Sequence, residues 1–324
     1  MPASPLAEWL YEAGIGEARA ALVSRGRIWK ARIEVDGPEP REGMVARARL
    51  IERNGPRTGK VALPDKLGEA LIEPLPPGIT QGASLTVRIV REAIVERGRR
   101  RLPKAVPSDG PLHPGPTLRD RIAATGIPVV ELRAHQPDAL EAAGWSEVID
   151  EAITGDIAFP GGWLRMAVTP AMTLFDVDGP PPHGPLSIAA AHAAAQAIER
   201  HGIGGSIGID FPTLADKAER VAAAAALDAA LPQPFERTAI NGFGFLQVVR
   251  RRTRASLPEA ILADPVGHAA RAALRIAERV PPPVRDIHIV PEPVARWLAR
   301  RPDLLNELAR RTGVAVRFVA EEPR

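Results

Sequence analysis

Hydrophobic and polar positions change period several times along the chain, and each change predicts an element. Over 17–35, EARAALVSRGRIWKARIEV, two runs rich in Ala, Val and Ile flank Ser24-Arg25-Gly26, the pattern of a β-hairpin. Between 44 and 106 come the short runs MVARARLI, GKVALP, EALIEPL and ASLTVRIVREAI, with breaks such as NGPRTG and PLPPGITQG between them. In the last run Val87 and Ile89 flank Arg88, an apolar–polar alternation. Short strands at this spacing predict a small barrel, and a length of ~65 residues suits the OB type. Residues 103–117 hold five prolines and two glycines, which predicts an extended connection.

From there the periods alternate. IPVVEL reads as a short strand and DALEAAGWSEVIDEAITG as helix. GGWLRMAVT and AMTLFDVDG read as strands around a proline turn. The Ala-rich SIAAAHAAAQAIERHG predicts a helix with Ser187 as N-cap and Gly202 as its stop. GGSIGIDF is another strand, DKAERVAAAAALDAAL a second helix, and FGFLQVVRRRT strand-like. The last sixty residues add the helix VGHAARAALRIAERV, the strand DIHIVP, a helical stretch broken by proline, and a final strand VAVRFVAEE.

Composition narrows the classes. With 324 residues, 45% hydrophobic and 25% charged, the chain can bury sizeable cores. Cysteine is absent, which excludes disulfides and thiolate zinc sites and makes a reducing cytoplasm the expected compartment. No apolar run approaches the ~18 residues of a membrane span. The opening MPASPLAEWLYEAG carries an early Glu and no basic apolar leader, so no signal peptide is expected. Net charge is +3 and the calculated pI 9.6. Arginine clusters at Arg99, Arg100 and Arg101, beside Arg97 and Lys104, and again at Arg250, Arg251, Arg252 and Arg254. Such runs are either solvated surface or, through the guanidinium fork, phosphate contacts. No Phe, Tyr or Trp lies between 44 and 106, so the barrel offers no ring on which bases could stack.

The candidate chemistry is acidic. Two apolar strands end in aspartate, TLFDVD at Asp176 and Asp178, and GSIGID at Asp210, with one helix between them. A strand–helix–strand unit of this size favours parallel or neighbouring strands, which brings Asp176 and Asp210 to one sheet rim. Asp178, two residues beyond Asp176, shares its face. Carboxylates gathered at one rim repel unless a cation lies among them, and oxygen ligands suit Mg2+, with Mn2+ as its substitute. Aspartate also follows strands simply because it opens turns. LFDVDG resembles the nucleophile motif of haloacid-dehalogenase-like phosphatases as well. Pro180 stands where that motif carries Thr or Val, some 175 residues precede it, and no later acidic pair follows. The histidines point elsewhere: His192 within the Ala-rich helix and His201 at its end read as surface or capping residues, and His183 as structural.

A longer match runs through TLFDVD (173–178), GGSIGIDF (204–211) and GFGFLQVVRRR (242–252), in that order. With GDIAFPGGWLRMAVTPAMT upstream, these strings resemble the nuclease core of the RNase E/G family of bacterial endoribonucleases. GIGEARAALVSRGRIWKARIE resembles the family's opening hairpin, QGASLTVRIVREAIVERGRRR the end of its OB-type RNA-binding domain, and the tail the small C-terminal domain of the RNase G branch.

The resemblance implies an α+β multidomain chain. It would have an N-terminal hairpin segment (1–42), an inserted OB-type barrel (43–106), a proline-rich linker (107–130), a mixed α/β nuclease core (131–262) and a small C-terminal α/β domain (263–324). It implies Asp176 and Asp210 as magnesium-binding catalytic residues, with Asp178 where the family usually has Asn. It implies RNA contacts by Arg250 and Arg252, and by Arg99, Arg100 and Arg101 of the barrel edge. The implied activity is Mg2+-dependent cleavage of single-stranded RNA, leaving 5′-phosphate and 3′-hydroxyl ends. The paired cysteines that clasp zinc between protomers in the family have no counterpart in SLPEAILADPVGHAAR, so no zinc is expected and any homodimer would form without a zinc link. No stretch resembles the pocket that senses 5′-monophosphate ends. These departures keep a second reading open, an RNA-binding protein with weak or lost cleavage.

Overall fold

The computed structural model describes residues 7–96, 98–214, 216–280 and 287–321. Strands β1 (Glu8–Ala13), β2 (Glu17–Ser24) and β3 (Arg27–Val35) form an antiparallel meander. The expected β2–β3 hairpin turns through Arg25 and Gly26, both left-handed at φ 52° and 70°, the geometry whose twist matches the flanking strands.

Next come β4 (Val45–Arg53), β5 (Gly59–Ala62), β6 (Glu69–Ile72), β7 (Ser84–Arg91), β8 (Ile94–Glu96), β9 (Arg99–Arg101) and β10 (Lys104–Pro107). Five of these close a barrel in the order β10-β6-β5-β4-β7, with β10 parallel to β6 and antiparallel to β7. Alternate residues fill it, among them Leu50, Val61, Ile72, Val87 and Ile89. The β8–β9 ribbon, carrying Arg99–Arg101, stands apart as its own two-stranded sheet.

Segment 107–130, expected as a linker, carries structure of its own. Helix α1 (Leu118–Ala123) starts at a capping box between Thr117 and Asp120. Strand β11 (Val129–Glu131) then pairs in parallel with β1, giving the order β11-β1-β2-β3. This is the strand expected in IPVVEL; its partner, which the string does not reveal, lies 120 positions earlier, Trp9 opposite Val129. Helices α2 (Ala139–Ala142) and α3 (Trp145–Thr154) pack on this sheet through Leu140, Trp145 and Val148.

The sheet that holds the candidate site follows. Its elements are β12 (Asp156–Phe159), β13 (Gly162–Val168), β14 (Thr173–Asp178), α4 (His183–His201), β15 (Gly205–Asp210), α5 (Lys217–Ala230), β16 (Glu236–Arg237) and β17 (Phe245–Arg250). The strand order is β12-β13-β14-β15-β17-β16, and only β14 and β15 run parallel. The α4 crossover dictates that, since a helix returns the chain to the end at which the strand began. One face of the sheet buries Phe175, Val177, Ile207, Ile209, Leu246 and Val248 under α4 and α5.

Helix α4 is built for close packing. Ala190, Ala191, Ala194, Ala195 and Ala197 are all buried, so the helix approaches the sheet, α5 and β3 together. It begins at His183 after the N-cap position Pro182, five residues before the expected cap. Ser187 is no N-cap: it is buried inside the helix because its position faces the core. Gly202 does end the helix, left-handed at φ 66°. His201, expected near the surface, is fully buried and lies 3.2 Å from Glu151.

The remaining elements are α6 (Leu257–Ala263), α7 (Pro265–Arg279), β18 (Ile287–Val290), α8 (Glu292–Ala299), α9 (Pro302–Thr312) and β19 (Arg317–Ala320), with β18 and β19 parallel. Leu274, Leu298, Leu304 and Leu308 form their core with Ile15 from the N-terminal region. Ion pairs reinforce that join. Buried Glu17 accepts from Arg271 and Arg275, both at 3.0 Å, and buried Glu12 pairs with Arg19 and Arg279. The protein is therefore a mixed α+β chain with a closed five-stranded barrel and nine helices among the described residues. None of those helices is long and apolar enough to cross a membrane.

Candidate functional site

The uncovered face of the six-stranded sheet follows from a period of two. In TLFDVD, Thr173, Phe175 and Val177 point to the helices, so Asp176 and Asp178 must point away. In GSIGID the same alternation buries Ile207 and Ile209 and exposes Asp210. Strands β14 and β15 pair with Asp176 directly opposite Asp210. Neighbouring strands lie about 4.8 Å apart, so the two aspartates, 34 positions apart in sequence, stand side by side on one face.

The register extends across the sheet. The row containing the pair reads Asp156, Arg165, Asp176, Asp210, Phe245. Asp178 is opposite Trp163 one step further along, and Leu174 is opposite Gly208 and then Gln247 one step back. Arg165 is exposed, and its contact with Asp156 is a loose 3.9 Å. Gly208 makes room on this face. A Cβ there would lie 2.7 Å from both the Leu174 side chain and the Phe245 ring, so these two apolar groups close over the glycine and floor the space beside the acids.

The predicted arginines go elsewhere. Arg250 sits opposite Gly205, at the far end of β15 from Asp210, five residues or about 17 Å along the strand. It pairs at 2.7 Å with Glu199 near the end of α4, which Lys30 also holds at 2.8 Å. Burial opposes charge on Glu199, but these two cations hold its carboxyl below the usual range. Beside them Arg32 donates to the carbonyls of Glu199 and Arg200, as a cation does at a helix C-terminus. Arg252 pairs with Glu259 of α6. Arg99, Arg100 and Arg101 are exposed on the β8–β9 ribbon, where Arg100 grips Glu39 with a fork. The structure thus sets Asp176 beside Asp210, keeps Asp178 on the same face one row away, and leaves Arg250 and Arg252 in structural ion pairs. Sequence reading missed Arg165, Trp163 and Phe245, although the strand period alone places Trp163 and Arg165 on one face.

The donor set can be tested for a divalent ion. Two carboxylates in register on an open face match the one or two carboxylates with which Mg2+ is typically held, water and phosphate completing its shell. Among the described residues no group of three or more His, Cys, Asp or Glu side chains is arranged to hold a metal alone. Asp176 and Asp210 are accordingly the direct ligand candidates, and Asp178 stands one row away. A cleft of about 1080 Å3 lies elsewhere, lined by Tyr11, the 131–138 loop and Arg279, Arg310 and Arg311. No residue of β12 to β17 lines it, and those three arginines already pair with Glu12, Glu307 and Glu278. Compared with known proteins, the chain matches no family model and no curated protein sequence.

Proposed function

We propose that the protein is a Mg2+-dependent endoribonuclease acting on single-stranded RNA, related to the RNase E/G family. One observation carries the proposal: the strand register that sets Asp176 against Asp210 on an open face. Around it, the strings that resemble the family coincide with strands of one sheet, which supports the reading. TLFDVD is β14, GGSIGIDF contains β15, and GFGFLQVVRRR contains β17. The five-stranded closed barrel fits an OB-type domain inserted after the N-terminal hairpin, and the last two strands with α7 to α9 fit a small C-terminal domain.

Asp176 and Asp210 would hold the ion. Bound there, Mg2+ supplies Lewis-acid stabilisation of charge developing on a phosphodiester and lowers the pKa of water. The chain's own residues do the rest. The aspartate pair fixes where the phosphate must sit. Asp178 accepts hydrogen bonds from water at the rim, and Arg165 donates to a non-bridging phosphate oxygen from the same row. The sheet fixes the register of the three aspartates before substrate arrives, while the exposed Arg165 side chain settles on the phosphate as it binds. Four acids, Asp156, Asp176, Asp178 and Asp210, against one Arg165 repel a polyanion until a divalent ion is present, which ties catalysis to the cation.

The test is cleavage of an end-labelled, AU-rich single-stranded oligonucleotide by Asp176→Asn and Asp210→Asn. Each variant should lose at least about 100-fold in rate, since a charged ligand becomes neutral at unchanged shape. Wild-type cleavage should stop in chelator. Cleavage by either variant at the wild-type rate would remove the assignment. Gel retardation of RNA by the wild type without Mg2+-dependent fragments would favour the binding protein.

A further inference from the structure

One exposed aromatic ring is ordinary on a protein surface; two of them on fixed backbone around a pair of acids form a pattern that a ligand would explain. Phe243 is 86% exposed. It is not on a loose loop. Asn241 Oδ1 accepts from the backbone N–H of Phe243 at 2.9 Å and of Phe245 at 3.0 Å. Gly244 is left-handed at φ 93°, and a Cβ there would lie 2.1 Å from the carbonyl oxygen of Phe211. The Phe211 N–H in turn donates to the Gly244 carbonyl at 3.1 Å. The turn presenting Phe243 is therefore fastened to the residue that follows Asp210.

A second ring stands on the other side of the acids. Trp163 of β13 is 56% exposed and directly opposite Asp178. From β13 to β17 is three strand steps, about 14 Å, and the Asp176–Asp210 pair occupies the two strands between. Phe245, lying over Gly208, closes the floor on the β17 side. The barrel, by contrast, holds no aromatic residue at all from 44 to 106.

We infer that Trp163 and Phe243 are base-stacking residues. They would take the unpaired bases on either side of the phosphodiester that lies over Asp176 and Asp210, with Arg165 on the phosphate. The inference rests on the nuclease reading of the carboxylate pair and assigns the residues by which that site would tell a single strand, whose bases are free to stack on protein, from a duplex. A duplex is excluded, because its bases already stack on each other. Selection for single strands thus resides at the cleavage face, not in the barrel. Stacking tolerates any base, since every base has a π-face, so the site is broad in sequence.

The experiment uses the full chain and a mixed-sequence single-stranded RNA 12-mer in Mg2+. Intrinsic tryptophan fluorescence is read in the mixing phase, before turnover. The wild type should be quenched by the single strand and unaffected by the same sequence as a duplex, and Trp163→Phe should abolish the quench. Phe243→Ala should weaken binding about ten- to hundredfold, the loss typical of one stacked base. Phe243→Trp should restore affinity and add a second quenched fluorophore. Because Phe243 makes so little contact, the thermal midpoint of Phe243→Ala serves as the check on folding and should equal the wild type. Wild-type affinity in both Phe243→Ala and Trp163→Ala would overturn the inference. If those variants also cleave normally while Asp176→Asn does not, the stacking assignment fails and the nuclease stands. If the single strand quenches Trp163 but Mg2+ yields no fragments, the nuclease fails and the stacking surface stands.

Discussion

Gly208 shows how narrowly one residue can be constrained on a surface. It lies on the open face, where most side chains would be harmless, yet both Leu174 and Phe245 occupy the space above it. Gly208→Ala should cost about 1–3 kcal/mol by overpacking, seen as a lower urea midpoint, and Gly208→Val more. A substitution without effect would mean that these two side chains do not close over the strand. His201 gives a second residue-scale consequence. Burial is the main force on its pKa and lowers it, and the Glu151 contact only partly offsets this; His268 is lowered by burial too. In the unfolded chain both titrate near 6.5. Below that value the unfolded state binds protons that the folded state refuses, so stability is full above about pH 6.5 and falls as pH drops toward the depressed folded values. Thermal midpoints measured from pH 7.5 to 5 should decline, and His201→Gln should flatten the decline. An unchanged slope in that variant would remove His201 as a source.

At the scale of elements, alternation made the site legible. TLFDVD and GSIGID each state which side chains face the helices, and one intervening helix implies neighbouring parallel strands, so Asp176 and Asp210 were expected together and are found in register. What failed had a long-range cause. Arg250 follows the right string, but its direction is set by Glu199, 51 positions away on α4. Ser187 has the chemistry of a cap, yet the helix starts earlier because residues 183–186 can wind while burying Leu186. Strand β1 was missed for a related reason: it gains its place only from β2 and from β11, the strand that IPVVEL predicts but whose partner it does not name. The aromatic residues were sought in the barrel, where single strands often stack. Phe243, read as the start of the strand-like FGFLQVVRRRT, lies instead in the turn before β17, which the Asn and two Gly of Asn241-Gly242-Phe243-Gly244 favour.

At the scale of the whole molecule, the two ends of the chain are joined by buried charge. Glu17 in β2 holds Arg271 and Arg275 of α7, and Glu12 in β1 holds Arg279. Removing one partner of such a pair strands the other without water, at a cost of about 3–5 kcal/mol. Glu17→Ala should therefore lower the free energy of chemical unfolding by that amount. Limited proteolysis of the variant should cut in α7 to α9 before the six-stranded sheet. A wild-type urea midpoint would show that the pairs add nothing to the join.

The parallel pairing of β11 with β1 has a consequence for how such a chain can change. Everything from 36 to 128 is an excursion that departs from one side of a four-stranded sheet and rejoins it at the other, beside its first strand. Both points of attachment belong to that sheet, and so does the excursion's last stretch, where Leu118 and Ile122 of α1 pack on Trp9, Ala18 and Ala20. The five barrel strands before that stretch can be swapped, lengthened or pared away, while the acids on the distant face keep their alignment.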